Sequence, residues 1–450
     1  MTGVSDEFEV VWERLPPAWQ RQVLAQPLPP GKLILINQPD PTALLVGFWA
    51  ALRADSALAL ANPQWGQQEW QQVADQLRPD CILGTAPPVS FTADIPRPAP
   101  GQILIPTGGT SGQVRFVVHT WSTLATAARG FIRHFEQPQV NSYCVLPMYH
   151  VSGLMQAVRV WLSGGRLIAQ PFRELAAGQR LASPDSHWFI SLVPTQLGRL
   201  LQSSDTAVWH RWLGQFRAVL LGGAPPWPTL LEQAAQLPLA PTYGMTETAA
   251  QVATLLPADF LAGERSSGPA LPHVQLAIHG AQGETLPPGQ IGRIALDSAA
   301  LGQGYWRGTA FERPWFYPDD LGYLDRQGHL HVVGRRSDKI ITGGENVFPA
   351  EVEAALLATG LVQDVCVVGL SDSDWGQAVA ALYVPVQDSV TAADLKRSLR
   401  SYLSSHKHPK RWLAVEQIPR SQQGKVSRTL AMQLLSAIGQ PLEPGDGDDG

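Results

Sequence analysis

The chain is poor in cysteine, in charge and in long apolar runs, and each scarcity narrows what it can be. Its three cysteines in 450 residues, Cys81, Cys144 and Cys366, stand far apart without Cys-x-x-Cys spacing. That excludes a disulfide framework and a cysteine-built zinc site, and it points to a reducing compartment. Charged residues make up only 16% and nearly balance, 33 Lys+Arg against 38 Asp+Glu, so no global positive field invites nucleic acid or anionic membrane. No apolar stretch approaches the ~20 residues needed to span a bilayer. The first ten residues carry acids and no basic-then-apolar pattern, so no secretory or transit signal is readable and a cytoplasmic location is expected. There is no repeat of fixed period. What remains is a globular chain acting on small molecules.

Short β-type runs alternate with helical ones: Leu33 to Ile36, Thr42 to Arg53 behind Pro41, Leu58 to Ala61, Gln67 to Leu77, Cys81 to Leu83. Strands separated by helices imply βαβ crossovers and a parallel sheet. The rhythm continues through Gln102 to Ile105, Arg115 to His119, Tyr143 to Leu146, Arg166 to Ala169, His187 to Val193 and Arg217 to Leu221, a large doubly wound α/β body. From about Gln251 spaced strands with Gly/Pro punctuation, among them Val274 to His279 and Ile291 to Asp297, read as a β-rich subdomain. A smaller α+β unit follows, with a helix from Pro349 to Ala358, strands near Val365 and Ala378, a helix from Ala392 to Leu403 and another from Arg428. The expected division is 1–335, 336–440 and a polar, acidic, disordered tail, 441–450.

Five segments concentrate chemistry. Thr107, Gly108, Gly109, Thr110, Ser111 and Gly112 follow a strand, where glycines let backbone N–H groups approach an anion and the hydroxyls add donors, a phosphate cradle. It is neither a Walker loop nor a GxGxxG turn, and alone it could be an ordinary connection. Gly222-Gly223-Ala224 precedes Thr242-Tyr243-Gly244-Met245-Thr246-Glu247, where a hydroxyl and a carboxylate can meet a phosphate oxygen and a divalent cation; Thr246 could equally be a helix cap. Tyr317 to Gly322, Gly334 to Glu351 and Pro419 to Arg428 complete the set.

In this order the segments, spread over about residues 30 to 435, resemble the acyl-adenylate-forming (AMP-binding) superfamily of acyl-CoA ligases, adenylation domains and luciferases. The resemblance implies a large N-terminal body, a mobile C-terminal lid and a site between them. It implies that Thr107 to Gly112 grip the pyrophosphate of ATP, that Gly222 to Ala224 and Thr242 to Gly244 line the adenine pocket, and that Thr246 contacts the α-phosphate. Glu247 would hold Mg2+, Asp320 the ribose hydroxyls with Arg335 beside it, and Lys425 from the lid would bridge carboxylate and α-phosphate. Ser337 stands at the hinge, where many relatives carry Asp or Lys. The phosphate loop departs from the family pattern, with Val114 in place of its Pro and Arg115 in place of its Lys.

The acceptor implied is CoA, with Gly343, Gly344 and Glu345 bordering its pantetheine tunnel. Three runs, Leu146 to Leu154, Ser191 to Leu200 and Tyr243 to Gln251, resemble the o-succinylbenzoate-CoA ligases of menaquinone and phylloquinone biosynthesis. His150 would then gate the acyl pocket and support thioester formation. The substrate keeps a second, non-reacting carboxylate that needs a cation, and Arg199, three residues after Gln196 on one helix face, offers the forked donors. Otherwise Arg199 is a solvent-exposed helix residue, as most arginines are. The alternatives are a CoA ligase for another aromatic or medium-chain acid, and a non-catalytic adenylate-binding module.

Overall fold

The structure, a computed structural model, describes residues 6–92, 94–108, 113–181, 184–420 and 426–437. Gly109, Thr110, Ser111, Gly112, Lys425 and the tail 441–450 therefore lie outside the described residues.

The α/β class expected from the sequence is present, with the body's strands divided between two six-stranded sheets. The first runs Gly304–Tyr305, Val114–His119, Ile103–Gly108, Ala57–Leu60, Leu33–Asn37, Cys81–Gly84, and the second Ala250–Thr254, Leu239–Met245, Ala218–Leu221, Trp188–Leu192, Asn141–Cys144, Leu167–Ala169. Most neighbours are parallel. Ile103–Gly108 and Val114–His119, by contrast, pair antiparallel with Thr107 opposite Arg115. The five residues between them are too few for a crossover, which takes a dozen or more, so these two strands pair as a hairpin.

Between the sheets lies the main core. Helix Pro41–Arg53 starts on Asp40, whose Oδ1 accepts from Ala43 N at 2.7 Å, with Pro41 preorganised in the first turn. Its residues Leu44 to Leu52 are all buried, as a helix enclosed between layers must be. Helices Trp121–His134 and Val151–Ser163 pack beside it. Much of the tryptophan content is here: the Trp49 ring lies 5.5 Å from Trp121 and 5.1 Å from Trp161.

Val274–His279, Gly292–Ser298, Asp320–Leu324 and Leu330–Arg335 form the β-rich subdomain as a four-stranded antiparallel sheet. The C-terminal unit has a five-stranded sheet with helices Pro349–Ala358 and Ala392–Leu399 contributing to one core and Arg428–Ala437 to another. The helix expected to reach Leu403 ends at Leu399, because the next amides bond three residues back and tighten the chain out of α geometry. Helix Pro349–Ala358 lies against the body helix Pro228–Gln233. No described helix is long and apolar enough to cross a membrane.

Candidate active site

Strand Leu239–Met245 ends in a tight 3-10 turn, Thr246–Thr248, and the chain reverses through Ala249 and Ala250 at φ +51° and +92° to pair back as Ala250–Thr254. This reversal depends on Gly244, since a Cβ there would fall 2.1 Å from the Ala250 carbonyl oxygen. Thr246 and Glu247 are thus presented at a strand end, where open α/β sheets place ligands.

Two supports hold that turn, and neither was singled out in the sequence. His119 ends the second strand of the phosphate-loop hairpin, fully buried; its Nε2–H donates to the Thr246 carbonyl at 2.7 Å, and Nδ1 lies 3.0 Å from the Thr123 hydroxyl. Burial pulls its pKa down to about 4, against the opposing Thr246 hydrogen bond, so it is a neutral imidazole. Tyr305, from the edge strand beside that hairpin, donates its hydroxyl to Glu247 Oε1. Burial and the Glu247 charge keep the phenol protonated. Over the Tyr305 ring, 4.3 Å from its centroid, lies the guanidinium of Arg115, the residue that replaces the family lysine. Arg115 therefore reaches Glu247 through one aromatic ring. The readable signal was the Gly302-Gln-Gly-Tyr305 run, where two glycines permit a close edge strand.

Thr242 and the glycine turn meet: Gly222 approaches so closely that a Cβ on it would sit 2.8 Å from Thr242 Cγ2. The neighbouring Gly223, at φ +85°, and Ala224 are exposed. Thr242 Oγ1 donates to Ala253 O at 3.0 Å and lies 2.9 Å from Thr254 Oγ1. Thr254 Oγ1 accepts from Gln251 Nε2 at 3.2 Å, and Gln251 Oε1 accepts from Arg159 at 2.7 Å. A polar ladder thus runs behind the strand from Thr242 to Arg159.

Asp320 and Arg335 are register partners, with Nε 3.7 Å from Oδ1, and Tyr243 donates its hydroxyl to Asp320 Oδ2 at 2.6 Å. Burial raises the Asp320 pKa while Tyr243 and Arg335 oppose it. Ser337, two residues on, donates its N–H to Asp319 Oδ2 at 3.1 Å. Next to it Asp338 pairs with Arg428, which also binds Glu353 and the Val367 carbonyl. These contacts tie the start of helix Arg428–Ala437 to the C-terminal sheet and to helix Pro349–Ala358.

The other expected residues are dispersed. His150 stands at the N-cap position of helix Val151–Ser163 without a side-chain capping bond, its ring 4.6 Å from that of Tyr149. Arg199 is exposed in the last turn of helix Pro194–Leu201, while Gln196 is spent on the helix start, accepting from Val193 N. Gly343 and Gly344, at φ +58° and +85°, make the exposed turn into strand Glu345–Val347. Cys144 and Cys366 are buried, their thiols each pushed up to about 12 by desolvation and therefore inert.

Known proteins carry the same pattern. Residues 92–306 match the AMP-binding enzyme family, and residues 351–425 match the C-terminal domain of AMP-binding enzymes. The 2-succinylbenzoate–CoA ligase of Geobacillus sp. (strain WCH70) is 33% identical over 338 residues, covering 73% of this chain and 68% of that protein. The protein of the same name from Oceanobacillus iheyensis is 33% identical over 337 residues, covering 72% and 67%. Among solved structures, o-succinylbenzoate coenzyme A synthetase from Bacillus subtilis, in complex with ATP and magnesium ion, aligns with a TM-score of 0.75 at 25% identity over 94% of this chain and 92% of that one. With this extent of likeness behind the braced turn and the two-part architecture, the chain belongs to the AMP-binding enzyme family.

Proposed function

We propose that the chain is an ATP-dependent 2-succinylbenzoate–CoA ligase. The acid's carboxylate oxygen attacks the α-phosphorus of ATP, releasing pyrophosphate and leaving an acyl-AMP; the CoA thiol then attacks the acyl carbon, forming the thioester and releasing AMP. The observation that carries the reading is the braced turn, in which His119 fixes the Thr246 backbone and Tyr305 fixes Glu247. A negative nucleophile must approach a negative phosphate, so preorganised charge is what the reaction needs, and removing one such donor costs on the order of 10^2 to 10^3 in rate.

Within this reading Thr246 contacts the α-phosphate, Asp320 takes the ribose hydroxyls beside Arg335, and Gly222 to Ala224 with Thr242 to Gly244 line the adenine. Glu247 suits Mg2+: it offers a hard carboxylate oxygen, and among the described residues only Oε1 is engaged, by Tyr305. Bound there, the ion would offset phosphate charge during attack. Thr107 to Gly112 and Lys425 keep the pyrophosphate-gripping and bridging roles of the family, His150 the acyl gate, Ser337 the hinge, and Gly343 to Glu345 the border of the CoA tunnel. The lid begins at residue 336, 441–450 is a tail, and the enzyme works in the cytoplasm, supplying quinone biosynthesis.

One observation favours a second reading, a ligase for another aromatic or medium-chain acid: Arg199 is exposed. Pyrophosphate release and thioester mass, measured with ATP, Mg2+ and CoA against a panel of acids, separate the two. Selective turnover of o-succinylbenzoate supports the first reading; turnover of monocarboxylic acids alone replaces it with the second.

A further inference from the structure

We infer that Glu264, Asp325 and His329 form a zinc site that clamps the β-rich subdomain to the segment following helix Pro257–Leu261. None of the three belongs to the active site described above, and the zinc site stands whether or not the ligase reading does.

The turn between strands Asp320–Leu324 and Leu330–Arg335 brings two of them together. Gly328, at φ +82°, closes that turn, and Asp325 N donates to His329 O at 3.0 Å. Asp325 Oδ1 accepts from the backbone N–H groups of Gln327 and His329, both at 2.9 Å, while Oδ2 faces the imidazoles. Glu264 arrives from the preceding helix, its Oε1 accepting from Arg265 N at 2.8 Å. Each carboxylate thus has one oxygen tied to backbone and turns the other towards His329 Nδ1, Glu264 Oε2 at 3.9 Å and Asp325 Oδ2 at 4.0 Å. Donor atoms of all three residues lie within 4.8 Å of one another.

These separations are too long for hydrogen bonds and leave room for an ion. His329 Nδ1 is buried without a hydrogen-bond partner although two carboxylates flank it. A bare nitrogen lone pair beside two carboxylates is repelled unless a cation stands between them. No lysine or arginine among the described residues pairs with either acid, and the guanidinium of Arg265 is spent on the carbonyls of Phe260 and Glu264. Zn2+ binds imidazole nitrogen and carboxylate oxygen at about 2.0 to 2.2 Å, which sets tetrahedral donors about 3.4 Å apart, so small side-chain rotations close the site. A nitrogen donor among the oxygens suits Zn2+ better than Mg2+, which takes oxygens. His331 gives the outer support that metal-binding carboxylates carry: Nε2–H donates to Asp325 Oδ2 at 3.1 Å, with its ring stacked on Tyr323 at 4.5 Å. Backbone bonds already join the two segments, Ser267 N to Leu330 O at 2.8 Å and Leu330 N to Gly268 O at 2.9 Å. The ion would fix the end of the hairpin opposite Asp320 and Arg335.

The test uses the full-length chain without an affinity tag, stripped with EDTA, dialysed and titrated with Zn2+ alone. Elemental analysis after desalting should find one zinc per chain, and excess Zn2+ should raise the melting temperature by a few degrees. Glu264→Gln and Asp325→Asn keep the acceptors for the backbone N–H groups and remove only the charge; these and His329→Gln should each weaken zinc binding at least about 100-fold. Millimolar Mg2+ should not displace the metal. Failure to retain zinc, its displacement by Mg2+, or equal binding by the wild type and all three variants, as adventitious uptake elsewhere would give, would overturn the inference. If His329→Gln fails to fold, Glu264→Gln decides, since its side chain is the most exposed of the three at 31%: an unchanged affinity overturns the site.

Discussion

At the scale of single residues, the site depends on neutral groups that orient charged ones. Tyr305→Phe removes the donor that aims Glu247 without touching the carboxylate itself. The Mg2+ concentration for half-maximal pyrophosphate release should rise about tenfold, the worth of a hydrogen bond to a charged group, while thioester formation from preformed acyl-AMP stays unchanged. His119 should leave a stability signature. Its folded-state pKa of about 4 lies below the ordinary 6.5, so the fold favours the neutral ring; that stabilisation is complete above about pH 6.5 and is lost as pH falls towards 4. The span amounts to roughly 3 kcal/mol, and His273, displaced to a similar value, adds to it. His119→Gln keeps a donor for the Thr246 carbonyl and does not titrate, so melting curves between pH 7.5 and 4.5 should fall less steeply for the variant. Neither residue was singled out in the sequence. A histidine closing an apolar strand and a tyrosine in a glycine run acquire their roles only from long-range partners, residues 127 positions apart in one case and 58 in the other. Glu247, Thr246 and Asp320 stood out as candidates because they lie within contiguous motifs.

Among the elements, the reversal after Glu247 stores backbone strain. Ala250 at φ +92° lies where side chains are rarely tolerated, and Ala250→Gly should raise stability by about 1 kcal/mol in chemical denaturation. Gly244→Ala should do the opposite, splitting the strand pair at its irregular register and abolishing acyl-AMP formation. Periodicity located most strands and helices to within a few residues; the run Val274 to His279 and the helix Pro349 to Ala358 coincide with observed elements. It did not reveal that the body holds two sheets, nor the antiparallel turn of the phosphate-loop hairpin, because alternation marks a strand without naming its neighbour. There the length of the connection, not the pattern of the strands, carried the information.

The whole molecule is a large body and a smaller C-terminal unit, and Arg428 anchors the smaller one. Arg428→Met would leave Asp338 and Glu353 without their cation, costing about 3 kcal/mol. Hydrogen exchange should then quicken in the C-terminal sheet and leave the body's central strands protected. The ladder from Arg159 through Gln251 and Thr254 to Thr242 has a consequence for the order of events in the larger body. Under the proposed function its Thr242 end lies at the adenine and its Arg159 end on the helix that begins after His150, the proposed acyl gate. Any free energy by which a bound acid tightens the enzyme's hold on ATP must return, in equal measure, as tighter binding of the acid when ATP is already present. Four side chains would thereby make the pair of ligands synergistic, a closed thermodynamic square in which neither substrate is held as firmly alone as both are together.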